Sequence, residues 1–153
     1  MTPSSHPRSG HPPTRALRSP AIVLWALLTL AGCAGFEDPL AGSSWRLIGW
    51  SVSSVDPAST GITAAFADGR ISGYAGVNRY SGDYTLSARD RFRAERITAT
   101  RRASTDKTAM RAESAYLALL DDVRSLKLDG QRLVLYDANG NETLTFARTA
   151  SSP

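Results

Sequence analysis

Histidine and cysteine are nearly missing from this 153-residue chain: the two histidines are His6 and His11, and the one cysteine is Cys33. Beyond Cys33 there is neither an imidazole nor a thiol. That excludes Ser-His-Asp and Cys-His nucleophilic sites, His/Cys zinc sites and internal disulfides from the rest of the chain. Neither a P-loop nor a dinucleotide fingerprint is present, so no cofactor is implied. The carboxylates Asp83, Asp137 and Asp121-Asp122 form neither an EF-hand run nor an evident dyad. No metal and no catalytic residue is therefore assigned, and the chain is expected not to be an enzyme. Charge of one sign is also scarce. Three of the 18 basic residues precede Cys33, which leaves 15 against 14 acidic ones, about neutral and a poor fit to nucleic acid.

What is present begins with a secretory pattern. Residues 1–20 carry Arg8, Arg15 and Arg18 without an acidic residue, and the uncharged apolar run Ala21 to Leu30 follows. That run falls short of the roughly 20 apolar residues a spanning helix needs, so it reads as a leader and not as an anchor. It ends in Leu30-Ala31-Gly32-Cys33, which resembles the bacterial lipobox. The resemblance implies cleavage between Gly32 and Cys33 and lipidation of the Cys33 thiol. A diacylglycerol with an N-acyl chain anchors stably, since each buried CH₂ contributes about 0.8 kcal/mol. Residue 34 is Ala and not Asp, which by resemblance to enterobacterial sorting places the protein at the outer membrane, facing the periplasm, in a Gram-negative host. The expected organisation is a signal peptide at 1–32, anchor and tether at 33–42, one domain at 43–149 and a frayed tail at 150–153, in a monomeric protein.

Within the domain the hydrophobic pattern is mostly of period two. Ser125 to Leu128, Arg132 to Tyr136 and Thr143 to Phe146 alternate or nearly alternate, separated by Asp129-Gly130 and Asn139-Gly140, pairs that supply positive φ to tight turns. This predicts a meander with Leu126, Leu128, Leu133, Leu135, Leu144 and Phe146 inward. Strands are also predicted at 45–50, 62–66, 70–74, 82–86 and 91–97, with Asp68-Gly69 joining the second and third. Residues 106–123 lack Gly and Pro and place Ala109, Ala112, Tyr116, Leu119 and Val123 at helical spacing, with Thr105 or Asp106 as cap. The expected fold is mostly β: about eight antiparallel strands in a barrel or strongly curved sheet, with one helix.

The densest motif runs from Ile71 to Tyr84 (ISGYAGVNRYSGDY). Its glycines imply special backbone angles or close chain approach, and Asn78 is suited to a left-handed angle or to capping a turn through its side chain. Here the chain resembles the META-domain family, also called HslJ-like. Trp45 and Leu47 fit its opening strand; Gly73, Gly76, Asn78, Tyr80, Gly82 and Tyr84 fit its Gly-Asn motif. Thr100 and Arg101 fit its Thr-Arg segment, and Glu113, Tyr116, Leu117 and Leu120 fit its helix. Leu133, Leu135, Asp137, Gly140, Leu144 and Phe146 fit the closing hairpin. Two cysteines usual in the family are replaced here by Val77 and Ser104, and their joint absence fits a family pair that would bond to each other. The resemblance implies a lipocalin-like barrel with a helix, a structural role for Gly73, Gly76, Asn78 and Gly82, and no catalytic set. Members are associated with envelope stress, motility or virulence, and some resemble pilotins, small lipoproteins that escort secretin subunits.

Arg89, Arg91 and Arg93 are predicted to lie on one strand face, with Phe92 and Ala94 opposite, either as a site for an acidic partner or as a solvated, aggregation-resistant edge. The expected function is a lipid-anchored, non-enzymatic envelope protein that binds another macromolecule, with carriage of a small apolar ligand or lipid inside the barrel as the alternative. Trp45, Trp50, Tyr74, Tyr80 and Tyr84 are candidates to line such a cavity, or to form core.

Overall fold

A computed structural model describes residues 36–52, 55–87 and 89–150. The lipobox residues Gly32 and Cys33 and the leader lie outside the described residues, and residues 36–153 form one compact unit. Eight strands and one helix follow the predicted order: β1 (Ser43–Trp50), β2 (Thr63–Ala67), β3 (Arg70–Tyr74), β4 (Arg79–Leu86), β5 (Phe92–Ala99), α1 (Lys107–Asp122), β6 (Ser125–Asp129), β7 (Arg132–Tyr136) and β8 (Glu142–Arg148). All neighbouring strands pair antiparallel, in the order β5-β4-β3-β2-β1-β8-β7-β6.

Period-two patterning sets which face is buried. Trp45 and Leu47, Ala64 and Phe66, Tyr80 and Tyr84, Phe92 and Ala94, Leu133 and Leu135, and Leu144 and Phe146 all enter one core. Burying a large apolar side chain contributes about 1.5–3 kcal/mol, so such pairs fix the register: a one-residue slip would turn them all to solvent. The predicted inward residues hold, except that Leu128 is only half-buried.

The turns show why some strand limits move. Asp68 (φ 51°) and Gly69 (φ 71°) form a two-residue loop with both angles positive, as the type I′ geometry requires. Asp129 instead pairs with Arg132, so the next tight turn is Gly130-Gln131, one residue later than expected. The last turn is a five-residue loop organised by Asp137, whose Oδ1 accepts from the N–H groups of Asn139 (2.8 Å) and Asn141 (2.9 Å). The Asn141 side chain, donating from Nδ2 to Asp137 Oδ2 (2.9 Å), and then those backbone bonds hold the Asp137 carboxyl below its ordinary range.

The sheet curls into a half-barrel that β5 and β6 do not close along their length. Among the described residues they meet at one bridge, Arg91–Ser125, with Phe92 N–H donating to the Arg124 carbonyl (3.1 Å) and Leu126 N–H to the Asp90 carbonyl (2.9 Å). Helix α1 packs into the same core. Asp106 caps it by accepting from Thr108 N–H (2.8 Å) and Ala109 N–H (3.1 Å). Its buried stripe is Ala112, Tyr116 and Leu120, continued by Val123; Ala109 and Leu119 are half-buried and Met110 is exposed.

Candidate functional site

Two regions hold the residues that the sequence singled out. The first is the loop between β3 and β4. Gly76 takes its positive angle (φ 112°), whereas Asn78 does not adopt the left-handed region suggested for it. Asn78 is buried and uses its side chain to join three segments. Its Nδ2 donates to Glu113 Oε1 on α1 (2.8 Å), and its Oδ1 accepts from Thr100 Oγ1 (3.0 Å) and Arg102 N–H (2.7 Å) beyond β5. Glu113 Oε2 also accepts from the N–H groups of Val77 (3.1 Å) and Asn78 (2.6 Å). Below this junction the Tyr80 hydroxyl donates to the Thr63 carbonyl (3.0 Å) and meets the Tyr116 hydroxyl at 2.6 Å. Burial pushes both phenols above the ordinary tyrosine range.

The other two motif glycines serve close approach. A Cβ at Gly73 would stand 2.0 Å from the Thr63 carbonyl oxygen, and one at Gly82 would stand 2.7 Å from the Glu95 carbonyl oxygen. Opposite Gly82 the register of β5 shifts, and Arg96 there takes a positive φ of 51°. On the exposed face, Arg96 Nε donates to Asp83 Oδ2 (2.6 Å) and Arg70 Nη1 to Asp83 Oδ1 (2.9 Å). Asp83 is thus held by two guanidinium groups. Asp137 caps its loop, and Asp121 and Asp122 are exposed at the end of α1.

A profile of the META domain matches residues 38–151. The chain belongs to the META-domain family. Solved relatives show the same fold. A protein from Burkholderia xenovorans, determined by NMR, is 26% identical, with a TM-score of 0.58 over 72% of this chain and 84% of its own. A second NMR structure is 22% identical, with a TM-score of 0.55 over 71% and 90%. A DUF4847 family protein from Bacteroides vulgatus is 13% identical, with a TM-score of 0.54 over 74% and 97%. No curated protein matches the chain. In this META domain the motif residues Gly73, Gly76, Asn78 and Gly82 serve the backbone and its junctions, and Val77 contributes its N–H to Glu113.

The second region is the seam between β5 and β6. Arg91 and Arg93 are exposed on the face opposite Phe92 and Ala94, as the alternation predicts, but Arg89 stands in the turn before the strand, where Asp90 has φ 56°. The sequence did not associate Arg124 with them. With Arg91 and Arg93 it lines an open recess of about 440 Å³, together with Thr85, Leu86, Ser87 and Phe92. Arg124 is positioned by donating from Nη1 to the carbonyls of Asp121 (2.7 Å) and Val123 (2.8 Å) at the end of α1, where the helix dipole favours a cation. Among the described residues, the ion pairs both fall on Asp83, and none engages Arg91, Arg93 or Arg124. Of the aromatic candidates, Trp45, Tyr80 and Tyr84 are core, Trp50 is half-buried and Tyr74 is exposed.

Proposed function

We propose that this META-domain protein is a non-enzymatic binding module of the cell envelope, anchored through a lipidated Cys33 and facing the periplasm from the outer membrane in a Gram-negative host. Its partner is another macromolecule, engaged through the arginines at the start of β5, and its role is assembly of envelope components or the response to envelope stress. The observation that carries this reading is the seam recess, which Arg91, Arg93 and Arg124 line with no carboxylate partner among the described residues. Cations left unpaired around one recess are suited to a partner that brings the opposite charge.

The filled core supports a partner outside the sheet over a ligand within it. Phe66 lies 5.1 Å from Tyr84 and 6.1 Å from Phe92, centroid to centroid, and Tyr116 lies 5.4 Å from Tyr80 and 6.5 Å from Phe146. These rings occupy the space that a carrier would leave for its ligand.

Crosslinking of the tagged full-length protein in intact envelopes, followed by mass spectrometry of recovered proteins and lipids, tests the reading. A reproducible protein partner, lost when Arg89, Arg91 and Arg93 are reversed in charge, is the expected result. A stoichiometric lipid without any protein would overturn it in favour of a carrier. Anchoring is tested separately: Cys33→Ala must abolish acylation and release the protein from membranes.

A further inference from the structure

We infer that the recess formed by Arg91, Arg93 and Arg124 receives a carboxylate side chain from an acidic segment of a partner protein, and that its occupation ties β5 to the junction of α1 and β6. This rests on the binding-module reading and specifies what is bound there.

Three features of the recess point to a projecting carboxylate. The first is its charge. Three arginines line it without an ion pair among the described residues; Arg124 spends its Nη1 on the Asp121 and Val123 carbonyls, and guanidinium forks match a carboxylate in two-point hydrogen bonding. The segment from Arg89 to Arg102 adds Arg89, Arg101 and Arg102, which make no ion pair among the described residues, against Asp90 and Glu95, while Arg96 is taken by Asp83; a segment with several acidic residues thus finds further cations along the chain. The second is its shape. A recess takes a group that projects from its carrier, whereas a bilayer presents a plane of headgroups. The third is its lining. Leu86, half-buried, offers carbon beside the charges, and Thr85 and Ser87 offer hydroxyls, which suits a carboxylate with an apolar neighbour.

The position gives the recess a mechanical consequence. Arg93 belongs to β5 and Arg91 immediately precedes it, and Arg124 lies between α1 and β6, so a shared carboxylate spans the seam. The sheet is least closed here: one bridge and the amides of Phe92 and Leu126 join the two sides. A ligand held by both sides opposes their separation, so binding stabilises these two amides in particular.

Residues 36–153 form one compact unit that holds β1 to β8, α1 and the core they bury, and serve for the test in ¹⁵N-labelled form. The probe is a synthetic peptide alternating Glu and Val, with a Gln and Val version and phosphatidylglycerol vesicles as comparisons. The Glu peptide is expected to bind and the Gln peptide not. Exchange of the Phe92 and Leu126 amides should slow by about tenfold or more in the complex. Arg91→Gln with Arg93→Gln should weaken binding by about tenfold or more, while Arg79→Gln with Arg111→Gln, an equal loss of charge elsewhere, should leave it nearly intact. Arg124 is left in place because it also holds the helix end. Equal losses in the two double variants, or unchanged exchange at Phe92 and Leu126, would overturn the inference. So would arginine-dependent binding to the vesicles without binding to the Glu peptide. If the Glu peptide fails while envelope crosslinking still yields an arginine-dependent partner, the module reading stands and the carboxylate inference falls.

Discussion

The Asn78 junction and the β5–β6 seam are both places where α1 meets the sheet, and they treat polar groups in opposite ways. At the junction, Asn78 and Glu113 sit between the β3–β4 loop, α1 and the segment after β5, and five hydrogen bonds satisfy them within the chain. At the seam, a single bridge joins two strands and three arginines face a recess without acidic partners among the described residues. A network satisfied within the chain fixes a conformation and has no valence left for a ligand; exposed cations without acidic partners, as Arg91 and Arg93 are, contribute little to folding and are free to bind, while Arg124 also holds the helix end. The family motif accordingly marks the fold, and the residues proposed for function lie outside it.

The largest effect is expected from the motif glycine with the least room. Gly73→Ala sets a Cβ against the Thr63 carbonyl at a distance no Cβ occupies, and the obstacle is backbone, which cannot rotate away. A loss of about 3 kcal/mol in urea unfolding is expected. An unchanged unfolding midpoint would show that β2 and β3 separate freely there, and the contrast between a rigid junction and an open seam would weaken.

Next comes the network itself. Asn78→Ala removes the buried side chain that Glu113, Thr100 and Arg102 share, and with it three part-buried hydrogen bonds, one of them to a carboxylate, at a cost of about 2–3 kcal/mol. Glu113→Ala should cost a similar amount. Because the two residues act on the same bonds, the double variant should lose clearly less than the sum of the single ones, a coupling of about 1 kcal/mol or more in a double-mutant cycle. Strict additivity would mean that the two side chains hold the loop and the helix independently.

The tyrosine pair beneath the junction yields a smaller, pH-dependent effect. Burial raises the Tyr80 and Tyr116 pKa values in the folded state. Below the ordinary value of about 10, both states keep these protons and the stabilisation is fully present. Above it, the unfolded chain loses protons that the folded chain retains, so stability falls as pH rises from about 10 towards the raised folded values. Tyr80→Phe with Tyr116→Phe should flatten that decline in equilibrium unfolding between pH 9 and about 11.5. An equally steep decline in the double variant would assign it to other groups.

How much of this was legible follows the range of the interactions. Asp68-Gly69 was placed from two adjacent residues because φ is a local property, and the start of α1 was narrowed to Thr105 or Asp106, the second of which is the cap, because a cap acts within one turn. The eight strands followed from alternation. The type of the turn after β6 was less accessible: whether Gly130 comes first or second in its loop depends on the pairing of Asp129 with Arg132, which the partner strand decides. Asn78 stands out for its residue type, and of the two tasks that type suggests the side-chain one is nearer the structure than the left-handed angle; its reach to Glu113, Thr100 and Arg102 is not legible because they lie on other elements. Arg124 was missed altogether. No local pattern connects it to Arg91; only the curl of the sheet, a property of all eight strands together, carries β5 round to the end of α1.

The smallest expected effect is on stability at the seam, and it is the most discriminating. Arg91 and Arg93 are exposed, and neither makes an ion pair among the described residues. Arg91→Gln with Arg93→Gln should therefore change unfolding free energy by no more than about 0.5 kcal/mol. Relief of repulsion among neighbouring guanidinium groups favours a slight gain over a loss, and added salt should erase it, because salt screens exposed charges. A loss of about 2 kcal/mol would place these arginines with Asn78 and Glu113, as parts of the framework. A null effect on folding, set beside a tenfold effect on binding, is the pattern of side chains kept for a partner.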